Sequence, residues 1–146
     1  MSVCTFFGHR DCYGLDAGVL KGAIEKLIRQ GADTFYVGHQ GQFDAMVLHA
    51  LEQLKEQYPR IRYCVVLAYL PTAKKEYDSY ADCGMYPEGL ETVPPRFAVD
   101  RRNRWMLQKA DICLCYVSHT WGGAYAYARI AKHRGKTVVN LGTTQL

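Results

Sequence analysis

Three short groups of glycines and polar residues have the composition of a binding site for an anionic ligand. They are GHRD at 8–11, GHQGQFD at 38–44 and SHTWGG at 118–123. Glycines let a ligand approach the backbone, and backbone amides together with Arg10 would carry its negative charge. A single glycine in such a place is more often only a turn residue. The combination of three such groups is what predicts a site.

Individual side chains in these groups have both a chemical and an ordinary interpretation. His9 could donate to phosphate or act in acid–base chemistry, or it could be a loop histidine that faces solvent. Asp44 could hold a ribose hydroxyl, or it could only favour the dipole of a helix. Trp121 could stack on a base or pack against the turn. The sequence has neither G-x-G-x-x-G nor a Walker motif, which argues against a dehydrogenase and a P-loop enzyme.

Four arginines lie close together in the segment PPRFAVDRRNRWM, which begins at position 94. The residues that would share one face of a helix, by their spacing of three and four, are Val99, Arg102, Asn103 and Met106. Arg102 or Asn103 would therefore point inward. A buried arginine needs an anion, which could be a ligand phosphate or a carboxylate such as Asp111. The outer arginines are interpreted as a solvated helix face.

Apolar runs alternate with helix-period patterns along the chain. The runs that indicate strands are 3–7, 34–38, 63–70, 111–117 and 137–141. This alternation predicts an α/β fold, a single-domain, doubly wound, Rossmann-like parallel sheet with helices on both faces. The segment 71–95 is predicted to be a long surface loop, and Pro95 could begin a helix that runs to about Lys109.

Folds of this class bind ligands at the carboxyl ends of the strands, near the point where the strand order reverses. In an order such as 3-2-1-4-5, the first and fourth strands are neighbours across that point. The residues after the first strand would then face the glycines after the fourth, with the glycines after the second strand beside them. The residues brought together in this way are Gly8, His9, Arg10, Gly38, Gly41, Thr120, Gly122 and Gly123.

The bulk composition is that of an ordinary globular domain of 146 residues, with 49% hydrophobic and 22% charged residues. A net charge of +4 suits an anionic small ligand but does not by itself indicate nucleic acid. The six cysteines form no C-x-x-C pair, so we expect no metal site, and we expect a reducing compartment. The longest apolar run is too short to span a bilayer, and no signal peptide is visible. We expect a cytoplasmic protein without a membrane partner.

Taken together, the pieces GHR, VGHQGQFD, LAYLP, PPRFAVDRRNRWM and TWGGAY resemble the SLOG superfamily, the Rossmann-like domains named after the Smf/DprA and LOG proteins. They span residues 8–125, and the resemblance is strongest to the small stand-alone YpsA-type branch. It implies one SLOG-like domain over residues 1–146, a doubly wound parallel sheet, and a nucleotide or nucleotide-derived ligand at the strand ends. It also implies a homo-oligomer, and we expect no cofactor.

LOG enzymes of this superfamily are phosphoribohydrolases that release a base from a nucleoside monophosphate, with the signatures M-x-x-R-K-x-x-M and P-G-G-x-G-T-x-x-E. The first is similar to VDRRNRWM, where Arg102 takes the place of the arginine and Asn103 that of the lysine. The second is similar to WGGAYAYAR, which retains Gly122 and Gly123 and has Tyr125 at the third glycine.

Arg129 stands where the LOG signature has its catalytic glutamate. Cleavage of a glycosidic bond needs a carboxylate to stabilise the oxocarbenium-like state or to activate water, whereas arginine stays protonated at neutral pH. The resemblance therefore implies a ligand cradle without the LOG catalytic machinery, unless Asp44, Glu88 or Glu91 supplies a carboxylate from elsewhere.

These features favour a protein that senses or sequesters a nucleotide-like signal, such as an ADP-ribose or cyclic nucleotide derivative, without turnover. Phosphate would lie against the glycines and Arg10, while Gln40 and Asp44 would hold the ribose. Trp121 or Tyr125 would stack on the base.

Two alternatives remain open from the sequence. One is a nucleotide N-glycosidase that uses Arg102 and a relocated carboxylate. The other is single-stranded nucleic-acid binding through the arginine cluster, which the modest charge and the small size disfavour.

Overall fold

Six parallel strands form the central sheet of the protein, which a computed structural model describes over residues 2–69, 84–87 and 89–146. The strands are β1 (Ser2–Gly8), β2 (Ala32–Val37), β3 (Arg62–Val66), β4 (Gly84–Met85), β5 (Ile112–Tyr116) and β6 (Thr137–Asn140). Their order is β4-β3-β2-β1-β5-β6, and all neighbours are parallel. The order reverses between β1 and β5, where Gly8 pairs with Tyr116 at the carboxyl ends of both strands.

The five longer strands follow the predicted order 3-2-1-4-5, so the doubly wound parallel sheet expected from the sequence is confirmed. The segment 71–95 was predicted to be a loop, and the prediction was wrong where the structure has the short strand β4. It pairs Gly84 with Val65 and Met85 with Val66, and two residues are too few to show a period in a sequence. Residues 70–83 and 88 of that segment lie outside the described part of the chain.

The helices of the described ranges are α1 (Ala17–Arg29), α2 (Gly41–Gln57), α3 (Ala98–Lys109) and α4 (Gly123–His133). Short 3-10 turns at Leu90–Thr92 and Pro95–Phe97 lead into α3, as predicted for a helix that begins near Pro95. None of these helices is long and apolar enough to cross a lipid bilayer.

Side chains of β1 and β5 alternate between two hydrophobic clusters, one on each face of the sheet. Phe6 and Leu114 pack with buried residues of α1 and α2, whereas Phe7, Cys113 and Cys115 pack with those of α3 and α4. All five side chains are at most 5% exposed, because helices cover both faces of the sheet, and the strands are therefore largely apolar on both faces. The helices on both faces of the sheet hold the carboxyl ends of β1 and β5 in place, and these ends position the residues of the site.

Candidate functional site

The carboxyl ends of β1, β2 and β5 open into a cleft of about 450 Å³ that also includes the amino end of α4 and one face of α3. The strand order reverses here, and doubly wound sheets bind ligands at such a place. The predicted residues that line the cleft are Gly8, His9, Arg10, Gly38, Gln40, Asp44, Arg102, Asn103, Trp121, Gly122 and Gly123.

Three predicted ligand residues, Gly41, Thr120 and Tyr125, do not line the cleft. Gly41 begins α2 with a φ of +86°, and a Cβ at this position would lie 3.1 Å from the Cα of Arg10. Gly41 is therefore needed for the packing of the chain after β1. Tyr125 packs under the guanidinium of Arg129, whose Cζ lies 5.9 Å from the ring centre.

Tyr127 takes the place in the cleft that the sequence suggested for Tyr125. It follows Gly123 by four residues, so both lie on one face of α4, and this spacing was the available sequence signal. Its ring stacks on Phe7 with the centres 5.1 Å apart, and its hydroxyl donates to Asp100. Burial, and then this hydrogen bond, raise the pKa of Tyr127 to about 12, so the hydroxyl keeps its proton.

The first turn of α4 presents backbone N–H groups to the cleft. No side chain of the described residues caps this end of the helix, and its first turn has no acidic residue. Gly122 has a φ of +89°, in the left-handed region that favours glycine. Gly122, Gly123 and Ala124 all line the cleft, so the amides and the positive end of the helix dipole form an anion-binding geometry.

Asp44 and Arg102 are buried charged residues of the cleft, with 8% and 2% of their surface exposed. Arg102 donates from Nη1 to the carbonyl of Val66 at 2.9 Å and from Nε to Oδ1 of Asn103 at 2.7 Å. Oδ2 of Asp44 accepts a hydrogen bond from the backbone N–H of Gln40 at 2.9 Å. Both side chains are held by backbone groups and are therefore well ordered for ligand contact.

Gly38 lets the two charges approach each other, because a Cβ here would lie 3.0 Å from both Cζ of Arg102 and Oδ2 of Asp44. Burial confirms the inward direction predicted for Arg102, but the suggested partner Asp111 was wrong. Asp111 accepts a hydrogen bond from the backbone N–H of Val3 at 3.0 Å, at the opposite end of the sheet. The negative charge that acts on Arg102 is that of Asp44.

Burial raises the pKa of the Asp44 carboxyl from 3.8 to about 6, although the Gln40 hydrogen bond and the charge of Arg102 oppose this shift. The carboxyl is thus mostly ionised at neutral pH and takes up a proton at slightly lower pH. Perturbed carboxyls that face a cleft are typical of functional sites.

We expect the protonation of Asp44 to make the free energy of unfolding of the protein depend on pH. The folded state holds the Asp44 proton more tightly than the unfolded chain, so this group stabilises the fold below pH 3.8 and loses that contribution by about pH 6. As the pH rises across that interval, wild type loses stability that Asp44→Asn keeps. The free energy of unfolding of Asp44→Asn should therefore increase relative to that of wild type by up to roughly 3 kcal/mol. Urea denaturation of both proteins at several pH values measures the difference. Parallel pH profiles would contradict the raised pKa.

Three aromatic rings stack face to face along one wall of the cleft. The ring centres of His9 and His119 are 3.6 Å apart, those of His119 and Trp121 are 3.7 Å apart, and both pairs are inclined by 16°. The backbone N–H of Ser118 donates to Nε2 of His9 at 3.0 Å, so neutral His9 carries its proton on Nδ1. Burial, and then the charge of His119, lower the pKa of His9.

Trp121 is 68% exposed. One face of its indole packs on His119, so the opposite face is open to a ligand. His119 is not among the site residues predicted from the sequence, where its i, i+2 spacing to Trp121 was the available signal. Nδ1 of His119 is buried without a hydrogen-bond partner among the described residues.

No group of three or more His, Cys, Asp or Glu side chains that could hold a metal occurs in residues 2–69, 84–87 and 89–146. Of the carboxylates considered for a relocated catalytic role, Asp44 lines the cleft. Glu88 and the side chain of Glu91 lie outside the described part of the chain. Asp11, which was not predicted, also lines the cleft.

No family model matches this sequence, and no curated protein matches it. Among solved structures, the X-ray structure of DNA processing protein A (DprA) from Streptococcus pneumoniae matches with a TM-score of 0.72 at 18% sequence identity. This chain is similar to DprA in fold. The match covers 100% of this chain and 52% of the DprA chain, so this chain spans about half the length of DprA.

The match with DprA confirms the α/β, Rossmann-like fold with its parallel sheet. DprA is one of the proteins after which the SLOG superfamily is named, so the similarity agrees in fold with the resemblance found in the sequence. At 18% identity the likeness is one of fold alone and assigns neither a superfamily nor a ligand.

Proposed function

We propose that this chain is a stand-alone SLOG protein of the YpsA type that binds a nucleotide or nucleotide-derived ligand in the cleft, to sense or sequester it without turnover. The observation that carries the proposal is the uncapped start of α4, with its two glycines, facing the cleft beside β1. An aromatic face and buried polar groups lie around the same cleft. An ADP-ribose or cyclic nucleotide derivative carries a phosphate for the start of α4, a base for the aromatic face and a ribose for the buried polar groups.

The phosphate would lie against the first turn of α4. Gly122 and Gly123 place no side chain in the way, so phosphate oxygens can accept from the backbone N–H groups. Arg10 is exposed and lines the same cleft. Its Nη2 lies 3.5 Å from Oε1 of Gln40, a weak contact that a charge-assisted hydrogen bond to phosphate would replace at little cost.

The base would stack on the open face of Trp121. His119 and His9 support the indole from behind at stacking distance, and a ring held in place before binding loses less conformational freedom when the ligand arrives. On the β2 side of the cleft, Asp44 and Gln40 would hold the ribose hydroxyls. The Asp44 carboxylate has acceptor sites beyond the one used by the Gln40 N–H.

Arg129, at the position of the catalytic glutamate in the LOG signature, supports binding without turnover. Arg129 is exposed, lies over the ring of Tyr125 and does not line the cleft. It therefore brings neither a carboxylate nor a water-activating group to a bound nucleotide.

Mass spectrometry of the small molecules that heat releases from freshly purified protein tests the proposal. We expect one nucleotide-type species near one equivalent per chain. If none is retained, a thermal-shift screen of nucleotides follows, in which a bound ligand raises the melting temperature by mass action. Failure of both experiments would contradict the proposal.

Trp121→Ala should weaken binding of the identified nucleotide by roughly tenfold or more, because base–aromatic stacking contributes about 1–3 kcal/mol per base. Isothermal titration calorimetry measures the change. Tyr13→Ala is the matched control, since Tyr13 is 85% exposed and does not line the cleft. Equal affinities of the two variants would place the base elsewhere.

A nucleotide N-glycosidase is the second candidate, and the Asp44 carboxyl is the observation that favours it. Asp44 lines the cleft close to Arg102 and has a pKa of about 6, which suits acid–base work near neutral pH. In that case Asp44 would activate water or stabilise the oxocarbenium-like state, and Arg102 would balance its charge.

Incubation with nucleoside monophosphates and NAD, followed by chromatography for free base, distinguishes the enzyme from the binder. An enzyme would release base in wild type and lose this activity in Asp44→Asn. Absence of free base at high protein concentration would contradict the second candidate while leaving the first intact.

We propose that the protein is a cytoplasmic homo-oligomer. Large apolar side chains that are at least 47% exposed and lie outside the cleft are Tyr13, Val19, Tyr69 and Phe97. An interface between copies would cover such side chains. Size-exclusion chromatography with light scattering tests the oligomer, and a single-chain mass would contradict it.

A further inference from the structure

A second cavity lies on the other side of α3 and shares no lining residue with the cleft. It measures about 680 Å³ and is bounded by α3, the turn around Leu90–Thr92 and the residue that follows α4, Arg134. We name it the arginine pocket after three of its lining residues, Arg101, Arg104 and Arg134. Its size falls in the range of ligand pockets, which is roughly 300–1,000 Å³.

The helical period explains how α3 serves both cavities. The positions 101, 104, 105 and 108 recur every three to four residues and line the arginine pocket, while 99, 102, 103 and 106 line the cleft. The sequence had suggested only a solvated helix face for Arg101 and Arg104. The structure places them in a concave surface together with Arg134, from a different helix end, and with the half-buried Trp105.

The ion pair of Arg104 leaves most of its guanidinium available. Nε of Arg104 donates to both oxygens of Asp100, at 3.2 and 3.0 Å, so its two terminal nitrogens lie outside this pair. Asp100 also accepts from the Tyr127 hydroxyl, which is the first cause of its lowered pKa. Among the side chains that the structure describes in the pocket and beside it, one carboxylate stands against three guanidiniums, which is an excess of positive charge.

We propose that the arginine pocket is a second binding site, for a ligand that carries two or more adjacent phosphate groups. Guanidiniums bind phosphate oxygens in bidentate fashion. Two guanidiniums from α3 and one from the residue after α4 can bracket a chain of linked phosphates, whereas a single small anion would not fill the pocket. Gln108 and Thr92 add neutral polar groups to the same wall. Linked phosphates occur in free polyphosphates and along a nucleic-acid strand, so the test uses a probe for each source.

Calorimetric titration with inorganic tripolyphosphate at low salt tests the site in the full chain. The variant Arg101→Gln/Arg134→Gln should bind the probe at least roughly hundred-fold more weakly than wild type, since it removes two arginines and hydrogen bonds to charged groups each contribute about 1.5–3 kcal/mol. The control Lys26→Gln/Arg62→Gln removes the same charge from exposed positions outside the pocket, and it should bind like wild type.

The same titration in the Gly123→Asp background separates this pocket from the cleft, because that substitution changes only the cleft end of α4. Tripolyphosphate binding should persist there and remain sensitive to Arg101→Gln/Arg134→Gln. Loss of all binding in Gly123→Asp would assign the phosphates to the cleft and overturn the proposal. The cleft proposal itself is judged by nucleotide binding, so the two can fail separately.

An oligothymidylate of roughly 12 nucleotides is the second probe, in the range of single-strand site sizes. Binding of tripolyphosphate supports a free polyphosphate as the ligand. The oligonucleotide could bind where tripolyphosphate does not, with a steep salt dependence, and lose its binding in Arg101→Gln/Arg134→Gln. That result supports the backbone of a nucleic-acid strand as the ligand. Binding of neither probe, or equal binding by the arginine variant and its charge-matched control, would overturn the site.

Discussion

Gly123→Asp is expected to weaken nucleotide binding in the cleft by at least about 100-fold, because a carboxylate some 4 Å from a ligand phosphate costs roughly 4 kcal/mol at a partly exposed site. The new charge would stand at the first residue of α4, where the proposed phosphate lies. Calorimetry with the nucleotide released from the purified protein measures the loss.

The fold should tolerate this substitution. Gly123 does not have a positive φ, and an added Cβ would make an ordinary contact of 3.6 Å with Tyr127. An acidic residue in the first turn also favours the helix dipole by about 0.3–1 kcal/mol, so the melting temperature should be equal or slightly higher.

Gly123→Asn is the matched control, since it adds nearly the same volume without the charge. We expect it to retain most of the affinity that Gly123→Asp loses. Unchanged affinity in Gly123→Asp would remove the start of α4 from the binding site. Equal losses in both variants would indicate a steric effect and not an anion site.

Arg102→Met is expected to lower the free energy of unfolding by about 2–4 kcal/mol at neutral pH, because it leaves a buried carbonyl without its charged donor and removes the positive charge that favours ionised Asp44. Arg102 is 2% exposed, and its positive charge favours the ionised form of the buried Asp44. Methionine fills much of the volume but leaves the Asp44 charge without compensation and the carbonyl of Val66 without its donor. Urea denaturation gives the value.

The double variant Arg102→Met/Asp44→Asn should recover a large part of that loss, because it removes the uncompensated charge together with its partner. Arg104→Met is the control for arginine loss, since its ion pair with Asp100 is about half exposed and such pairs contribute about 0–1 kcal/mol. Additive effects of the two cleft substitutions would mean that Asp44 and Arg102 do not interact. A loss in Arg102→Met as small as in Arg104→Met would contradict a stabilising role of the buried Arg102 guanidinium.

The location of the cleft could be predicted because it depends on strand order, which local patterns reveal. The run ending at Val117 is apolar from Ile112 onward and the one ending at Phe7 is interrupted only by Thr5, as is typical of strands covered on both faces, and helical periods separate them from the other strands. Parallel strands joined by helices bring all carboxyl ends to one edge. His9 and Gly122 could therefore be placed together although they are far apart in sequence.

Which side chains line the cleft was harder to predict, because the residue at which a helix begins decides which of its side chains face the cleft. Tyr125 and Tyr127 are equivalent by composition, and the start of α4 at Gly123 turns Tyr127 inward and Tyr125 away. The stack of His119 on His9 likewise depends on the turn after β5, whose path no period in the sequence specifies.

The sequence alone determined the class of fold, indicated the strand order around the reversal and limited the inward-pointing residue of α3 to Arg102 or Asn103, because these follow from periodicity and from the cost of leaving apolar surface in water. Only the tertiary structure decided which charge stands beside Arg102. Asp111 is nearer along the chain, but it lies at the opposite end of the sheet, whereas Asp44, in the first turn of α2, and Arg102 both lie against Gly38. Charges interact through space, and the distances between residues from separate elements are set only when those elements pack.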